Sequence, residues 1–177
     1  NMPGISLYEE PLRYYPNGSF AAHLLGFVQF RGNIGGGGVE AALEKELRGI
    51  PGKIVVEYDA AGRPIPQATH RYYPSVEGNS VVLTIDETIQ HFVERELDRV
   101  MEQHKPAHAA IIVMDVKTGE ILAMGVRPTY DPNQYFKFPH ELWSKNFAVA
   151  DAYEPGSTFK VITAAAALEE GVVRPQD

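Results

Sequence analysis

The pattern of hydrophobic and polar positions changes character near residue 80. Before it, apolar runs are short and Gly and Pro are frequent, which is typical of an irregular region of extended segments and turns. Helical spacing at residues 39–47 predicts a short helix, and residues 53–58 and 69–73 have the pattern of strands around a turn at 62–64. Four consecutive glycines at 35–38 predict a mobile turn.

A long amphipathic helix is predicted after residue 86. The β-branched run at 80–85 predicts a strand, and Asp86 is a good N-cap for the helix that follows it. Apolar residues then recur at helical spacing, with Glu, Arg and Asp on the other face, until Pro106 ends the helix. The apolar positions are Ile89, Phe92, Val93, Leu97, Val100 and Met101.

The last third of the chain predicts a hairpin, a loop and an apolar helix. Two apolar strands at 109–115 and 120–126 are joined by a turn that contains Gly, which indicates a β-hairpin. A polar and aromatic stretch at 128–147 is long enough to predict a functional loop. A nearly all-apolar run then predicts a helix over residues 157–168.

Composition narrows the possible partners and chemistry. The 177 residues carry 16 basic and 23 acidic side chains, a formal charge of −7, which argues against nucleic acid as a partner. Cysteine is absent, which excludes disulfides, thiolate catalysis and Cys-based zinc sites. His104 and His108 are four residues apart, but Pro106 lies between them and spoils a shared helical face. We therefore expect no metal site and no cofactor.

Ser157 and Lys160 form the candidate catalytic pair. They lie three residues apart at the predicted start of the apolar helix, so their side chains project from one face of its first turn. A serine at a helix N-terminus lies near free N–H groups that stabilise an oxyanion. Burial of the lysine against the apolar helix would lower its pKa and make the amine a usable base.

The spacing alone does not establish this chemistry. With six serines and seven lysines, about 0.24 such pairs arise by chance in a chain of this length. The structural alternative is an N-cap serine and a lysine that extends along a core helix, and on the spacing alone that alternative is favoured.

The residues around Ser157 change this balance. Residues 153–160 (YEPGSTFK) closely resemble the active-serine motif of penicillin-binding proteins. Upstream, residues 80–86 with Gln90 and Glu94 resemble the segment that enters the transpeptidase domain of this family, and residues 113–124 resemble its first hairpin. Residues 13–18 (RYYPNG) and 35–40 (GGGGVE) are similar to two motifs of the non-catalytic pedestal in class B members. The similarity covers almost the whole chain.

The resemblance implies roles for four residues. Ser157 is expected to be the nucleophile that is acylated by a peptidoglycan stem peptide or a β-lactam, and Lys160 its base. The Ser157 backbone N–H would supply half of the oxyanion hole. Arg13 and Glu40 resemble residues that pair at the junction of pedestal and catalytic domain. Without the resemblance, they would be an ordinary surface arginine and a helix N-terminal glutamate favoured by the dipole.

One motif in the sequence is misleading. Residues 117–119 spell Lys-Thr-Gly, which is the third motif of the family, but they come 40 residues before Ser157, whereas in the family that motif follows the serine. Their place in the predicted hairpin turn makes them structural. The second and third family motifs belong downstream, and neither is present after Ser157.

The resemblance also implies the architecture. We expect an α+β chain: an irregular, extended-rich pedestal or dimerisation domain over residues 1–78, then the truncated N-terminal part of a transpeptidase domain over 79–177. No apolar run approaches the roughly 20 residues that span a bilayer, and the chain starts at Asn1, so we expect a piece of a longer protein. The implied location is extracytoplasmic, on a bacterial membrane anchor, with cell-division, elongation or sporulation proteins as partners.

Two functions from different classes remain open. The first is an acyltransferase whose site is incomplete here, so that the fragment is inactive alone. The second is a non-catalytic pedestal module or a β-lactam sensor, although a sensor would not be expected to carry the two pedestal motifs.

A sheet that stops after one hairpin leaves an unpaired edge, and the apolar helix is left uncovered. We therefore predict that the fragment forms a homodimer or exchanges strands. Sedimentation of the 177-residue chain tests this prediction, and a monodisperse monomer would count against it.

Overall fold

The computed structural model describes residues 12–55, 60, 65 and 71–177. In the first half lie three short helices and a two-stranded antiparallel sheet: α1 (Ala22–Leu25), α2 (Gly38–Ala42), α3 (Glu44–Leu47), β1 (Lys53–Val55) and β2 (Arg71–Tyr73). The second half contains α4 (Glu87–His104), the antiparallel pair β3 (Ala109–Met114) and β4 (Ile121–Arg127), α5 (His140–Trp143), α6 (Phe147–Ala150) and α7 (Lys160–Glu169). Two 3₁₀ segments, Pro132–Lys137 and Gly156–Phe159, precede α5 and α7.

This mixed helix and strand architecture confirms the predicted α+β class. β1 and β2 are the described parts of the two strands predicted in the first half. The remainder of those strands and the turn predicted at 62–64 lie outside the described residues. The helix predicted at 39–47 is present as two pieces, because Leu43 leaves the helical region at φ −113° and separates α2 from α3.

Helix α4 and the β3–β4 hairpin share one hydrophobic core. Asp86 caps the helix as predicted, since its Oδ1 accepts a hydrogen bond from the Ile89 N–H at 2.9 Å. Val93 and Leu97 are buried against Ala123 of β4. The alternate residues of β3 face this core, whereas Ile112 and Met114 on the other face are 44% and 53% exposed. The sheet is thus covered on one side only within the described residues.

The strand predicted at 80–85 is wrong. This segment forms no ladder, and Val82 is 95% exposed. It meets β4 at two points: Thr84 Oγ1 donates to the Ile121 carbonyl and the Asp86 N–H donates to the Leu122 carbonyl. Further along β4, the Gln90 side chain donates a hydrogen bond to the Met124 carbonyl and accepts one from the Met124 N–H. A helix side chain therefore satisfies the edge of β4 where a further strand residue would have bonded.

The glycines at 35–38 form a close crossing and not a loose turn. A Cβ atom on Gly36 would lie 2.3 Å from the Phe27 ring, and one on Gly38 would lie 2.3 Å from the Leu24 carbonyl oxygen. Because an added methyl group has no space at either position, these glycines let α2 approach the chain around Phe27. Close packing, rather than mobility, is the reason for glycine at these positions.

An aromatic cluster connects the first half of the chain to residues 128–147. The Phe27 ring stacks on Tyr135 at 4.0 Å between centroids and meets Trp143 edge-on at 5.3 Å. His23 is buried beside them, with its ring 5.1 Å from Tyr130 and its Nε2 2.8 Å from the Leu142 carbonyl oxygen. The stretch predicted as a functional loop is therefore largely a packing element.

Burial lowers the pKa of His23 below its ordinary value, and Arg127 acts in the same direction; the Leu142 carbonyl and Glu94 oppose these effects. Below about pH 6.5 the unfolded chain takes up a proton that the folded imidazole resists, so stability falls as the pH drops. His23→Gln keeps a donor for Leu142 and cannot titrate. We predict that it flattens the pH dependence of the free energy of unfolding in urea between about pH 7 and pH 5.

His91→Gln, at an exposed histidine, is the matched control and should retain the wild-type dependence. Parallel profiles for wild type and His23→Gln would contradict the prediction.

Candidate active site

Ser157 lies in the 3₁₀ turn Gly156–Phe159, immediately before α7. Gly156 has φ +55°, a left-handed conformation that an L side chain adopts only with strain, and it turns the chain into this segment. The Ser157 hydroxyl makes no hydrogen bond to another described residue, and neither end of the turn nor α7 has a side-chain cap. The serine therefore does not act as an N-cap within the described residues, and its catalytic role stays a prediction.

Lys160 is the first residue of α7, one turn after Ser157. The structure brings the two residues onto neighbouring turns, but no hydrogen bond joins the hydroxyl to the amine. Both residues are exposed, as is nearly all of α7: Val161 is 74% exposed and Ile162 is 59% exposed. The expected burial of Lys160 is therefore wrong for this chain, because no described element covers the apolar face of the helix.

A concave surface lies next to α6, away from the serine. It has a volume of about 480 Å³ and is bounded by α1, α2 and residues 143–150. His23, Met124 and Trp143 contribute to its walls, whereas Ser157 and Lys160 do not. Within the described residues, no group of three or more His, Asp or Glu side chains is placed to hold a metal ion.

The Lys-Thr-Gly sequence at 117–119 lies in the β3–β4 turn, as predicted. The Asp115 carboxylate accepts hydrogen bonds from the backbone N–H groups of Lys117 at 2.7 Å and Thr118 at 3.2 Å. Gly119 has φ +79° and closes the turn with a backbone bond to Asp115. The Lys-Thr-Gly sequence at 117–119 is thus part of the turn.

Arg13 and Glu40 form an ion pair. Arg13 Nε lies 2.6 Å from Glu40 Oε1, and the Glu40 side chain is only 7% exposed. Tyr15 donates its hydroxyl hydrogen to the same oxygen at 3.2 Å. Burial, and then the adjacent Glu40 carboxylate, raise the pKa of Tyr15 above its ordinary value. The structure thus brings the two residues together, and their role at a domain junction stays a prediction.

Sequence reasoning missed a buried polar cluster on α4 and β4. Glu94 is buried, although the sequence predicts Glu residues on the polar face of α4, and Gln90 and Arg127 are buried as well. Glu94 Oε2 accepts from Arg127 Nη2 at 3.1 Å, and Gln90 Nε2 donates to Glu94 Oε1 at 2.8 Å. The spacing of Gln90 and Glu94, one turn apart on the apolar side beside Val93 and Leu97, could have revealed them. Arg127 lies at the end of an apolar strand, and no sequence pattern there indicates that its side chain is buried.

Two family models match this chain. The penicillin-binding protein dimerisation domain matches residues 1–83, and the penicillin binding protein transpeptidase domain matches residues 109–177. The chain belongs to the penicillin-binding protein family. We call residues 1–83 the dimerisation region and residues 109–177 the transpeptidase region. Helix α4 lies between them, and none of the described helices is long and apolar enough to cross a membrane.

Known penicillin-binding proteins are similar along almost all of the chain. Stage V sporulation protein D of Bacillus subtilis is 39% identical over 170 residues, which are 96% of this chain and 26% of that protein. Peptidoglycan D,D-transpeptidase FtsI of Escherichia coli is 40% identical over 173 residues, 98% of this chain and 29% of that protein. Thus the chain spans less than a third of either relative.

The fold is similar as well. The crystal structure of penicillin binding protein 3 from Mycobacterium tuberculosis, complexed with aztreonam, has a TM-score of 0.70 and 31% identity to this chain, and the match covers 93% of this chain and 33% of that one. The family resemblance stated from the sequence is therefore confirmed for both halves of the chain.

The Arg13–Glu40 pair yields a stability prediction for this penicillin-binding protein. Arg13→Met removes the only cation that contacts the buried Glu40 among the described residues. We expect a loss of about 1–2 kcal/mol in the free energy of unfolding, since a buried carboxylate left without its partner is costly. Urea unfolding of the chain measures it.

Arg48→Met is the matched control, because Arg48 lies 3.6 Å from Glu44 in a more exposed pair. A change within about 0.5 kcal/mol is expected there. Equal losses in the two variants would show that burial of Glu40 does not matter.

Proposed function

We propose that this chain is part of a serine-type D,D-transpeptidase that cross-links peptidoglycan stem peptides and is inhibited by β-lactams. The observation that carries the proposal is the position of Ser157 and Lys160, one turn apart at the start of α7 and inside the transpeptidase region. Two relatives support it by their names, one a peptidoglycan D,D-transpeptidase and one a penicillin-binding protein complexed with aztreonam.

In the proposed reaction, Ser157 Oγ attacks a peptide carbonyl of one stem peptide while the Lys160 amine accepts the hydroxyl proton. The developing oxyanion faces the Ser157 N–H, which makes no backbone hydrogen bond to a described residue. The bond to the departing residue then breaks, and the nitrogen of that residue takes the proton from Lys160 and leaves as an amine. The amine of a second stem peptide then attacks the acyl-serine, the bond to Ser157 Oγ breaks, and a proton from that amine passes through Lys160 to Oγ.

A lysine that accepts this proton must be neutral, and exclusion of water is one of the effects that favour the neutral amine near pH 7. Both side chains are exposed within the described residues, and the relatives are more than three times as long as the aligned segment. We therefore propose that residues 1–177 alone are inactive, and that further chain in the complete protein would cover α7 and the serine.

The remaining assignments follow the same family relation. We propose that the pedestal or dimerisation domain comprises residues 1–78 and the transpeptidase part residues 79–177, with Arg13 and Glu40 as a structural pair at their junction. We also propose an extracytoplasmic location at the bacterial cell membrane, with cell-division, elongation or sporulation membrane proteins as partners and a homodimer as one association state. The match of residues 1–83 to a dimerisation domain supports the last assignment.

Intact-protein mass spectrometry after incubation with benzylpenicillin tests the proposal. In the complete protein that contains this chain, we expect a mass increase of one antibiotic molecule, lost in Ser157→Ala and retained in Ser144→Ala, a serine in the same region. Lys160→Met should slow acylation by about 10²–10⁴-fold, the usual contribution of a general base.

Residues 1–177 alone should give no adduct; an adduct there that depends on Ser157 would contradict the inactive fragment only. An adduct that persists in Ser157→Ala would refute the nucleophile assignment. No adduct on the complete protein would reject the transpeptidase and favour a non-catalytic interaction module.

A further inference from the structure

We propose that Glu94 is a positioning residue that locks the dimerisation region onto the transpeptidase region through α4. The inference goes beyond the proposed chemistry and does not depend on it, because it concerns how the two regions are held together. It starts from one carboxylate that contacts both regions from a helix matched to neither of them.

Donors surround the Glu94 carboxylate on both of its oxygens. Oε1 accepts from the backbone N–H of Ala21, in the dimerisation region, at 2.7 Å, and from Gln90 Nε2 at 2.8 Å. Oε2 accepts from Arg127 Nη2, in the transpeptidase region, at 3.1 Å. Arg127 in turn is bonded through Nε and Nη2 to Asp98, one turn further along α4.

The contact to Ala21 involves a backbone group with no other partner among the described residues. Ala21 has φ +52°, a left-handed conformation that is unfavourable for alanine. It immediately precedes α1, and its N–H would be left buried and unpaired without the carboxylate. Glu94 therefore holds the chain in the conformation from which α1 and His23 reach the transpeptidase region.

Other contacts between the regions lie on either side of this point. Tyr130 Oη donates to the Ala22 carbonyl at 3.1 Å, and Asn133 pairs with both backbone groups of Tyr15 at 2.9 Å. These contacts come from residues 128–147, whereas Glu94 belongs to an 18-residue helix packed on the hairpin. Glu94 thus connects the dimerisation region to α4 and the hairpin, the most regular part of the described structure.

Glu94→Gln is the decisive variant. Glutamine has the same shape, but its NH₂ group must face either the Ala21 and Gln90 donors or the Arg127 donor, so at least one contact is lost. It is also neutral, so the hydrogen bond to Ala21 is weakened even where the amide oxygen keeps it. The Phe27 aromatic cluster is untouched, which favours a folded variant. Glu96→Gln is the matched control, since Glu96 lies two residues further on α4, is 39% exposed and, among the described residues, pairs only with Arg95 and Arg99.

The experiment is hydrogen exchange by mass spectrometry on the complete protein, comparing peptides that cover residues 19–25 with peptides from β3 and β4. In Glu94→Gln we expect exchange in residues 19–25 to accelerate about tenfold or more while the hairpin stays within about twofold of wild type. Glu96→Gln should change neither. A residue that only stabilised α4 on the hairpin would instead accelerate the hairpin peptides.

Unchanged exchange in residues 19–25 of Glu94→Gln would overturn the proposal, and so would acceleration of both sets of peptides. If Glu94→Gln does not fold, Arg127→Lys decides, because it keeps a cation near Glu94 but loses the Nη2 hydrogen bond that fixes Oε2. Faster exchange confined to residues 19–25 would then support the proposal, and wild-type exchange there would refute it. Because the readout is not acylation, failure here leaves the proposed function intact.

Discussion

A buried negative charge between α4 and β4 sets the geometry of this chain. The Glu94 carboxylate is removed from water, so its oxygens must be met by donors at fixed positions. The donors come from the start of α1, from α4 itself and from the end of β4. A hydrophobic contact tolerates sliding of the two surfaces, whereas a charge with directed hydrogen bonds does not. The relative position of these three elements is therefore specified more narrowly than by the apolar core alone.

The same polar cluster explains how a two-stranded hairpin is stabilised along one edge. Gln90 bonds to both backbone groups of Met124 and to Glu94, so one side chain links the sheet edge to the charge. Around this centre, the Phe27 cluster supplies apolar area with few directional demands. The two kinds of contact are complementary. The aromatic rings contribute buried apolar area, and the polar cluster determines how α1, α4 and β4 are positioned relative to one another.

The residues around the candidate catalytic pair make fewer tertiary contacts than the rest of the described chain. Asn146 still caps α6 and lies 3.5 Å from the His23 carbonyl oxygen, but Ser157, Lys160 and α7 make almost no contact with the rest of the described chain. For catalysis by serine and lysine, positions must be held to fractions of an ångström and water must be excluded. The described residues do not meet these requirements at Ser157 and Lys160, which are exposed. The two relatives compared above are more than three times as long as the segment that aligns with this chain.

Local sequence determined much of the architecture. The apolar spacing in α4, the Asp86 cap and the hairpin with its Gly119 turn all follow from short-range preferences of neighbouring residues. The last helix was also predicted, but it begins at Lys160 and not at Ser157, which lies in a 3₁₀ turn. The serine motif and the pedestal motifs were also recognisable, because each is a run of adjacent residues. From the sequence alone came the family, the mixed fold and the candidate pair Ser157 and Lys160, whose catalytic role stays a prediction.

Tertiary structure decided what depends on residues far apart in the chain. It left 80–85 without a strand partner because Gln90 occupies the edge of β4, and it buried Glu94 because Ala21 and Arg127, 73 and 33 residues away, supply its donors. It also made the glycines at 35–38 a close crossing, since the Phe27 ring fills the space beside them. Burial and hydrogen bonding of this kind are properties of a three-dimensional neighbourhood, and the pattern along the chain does not contain them.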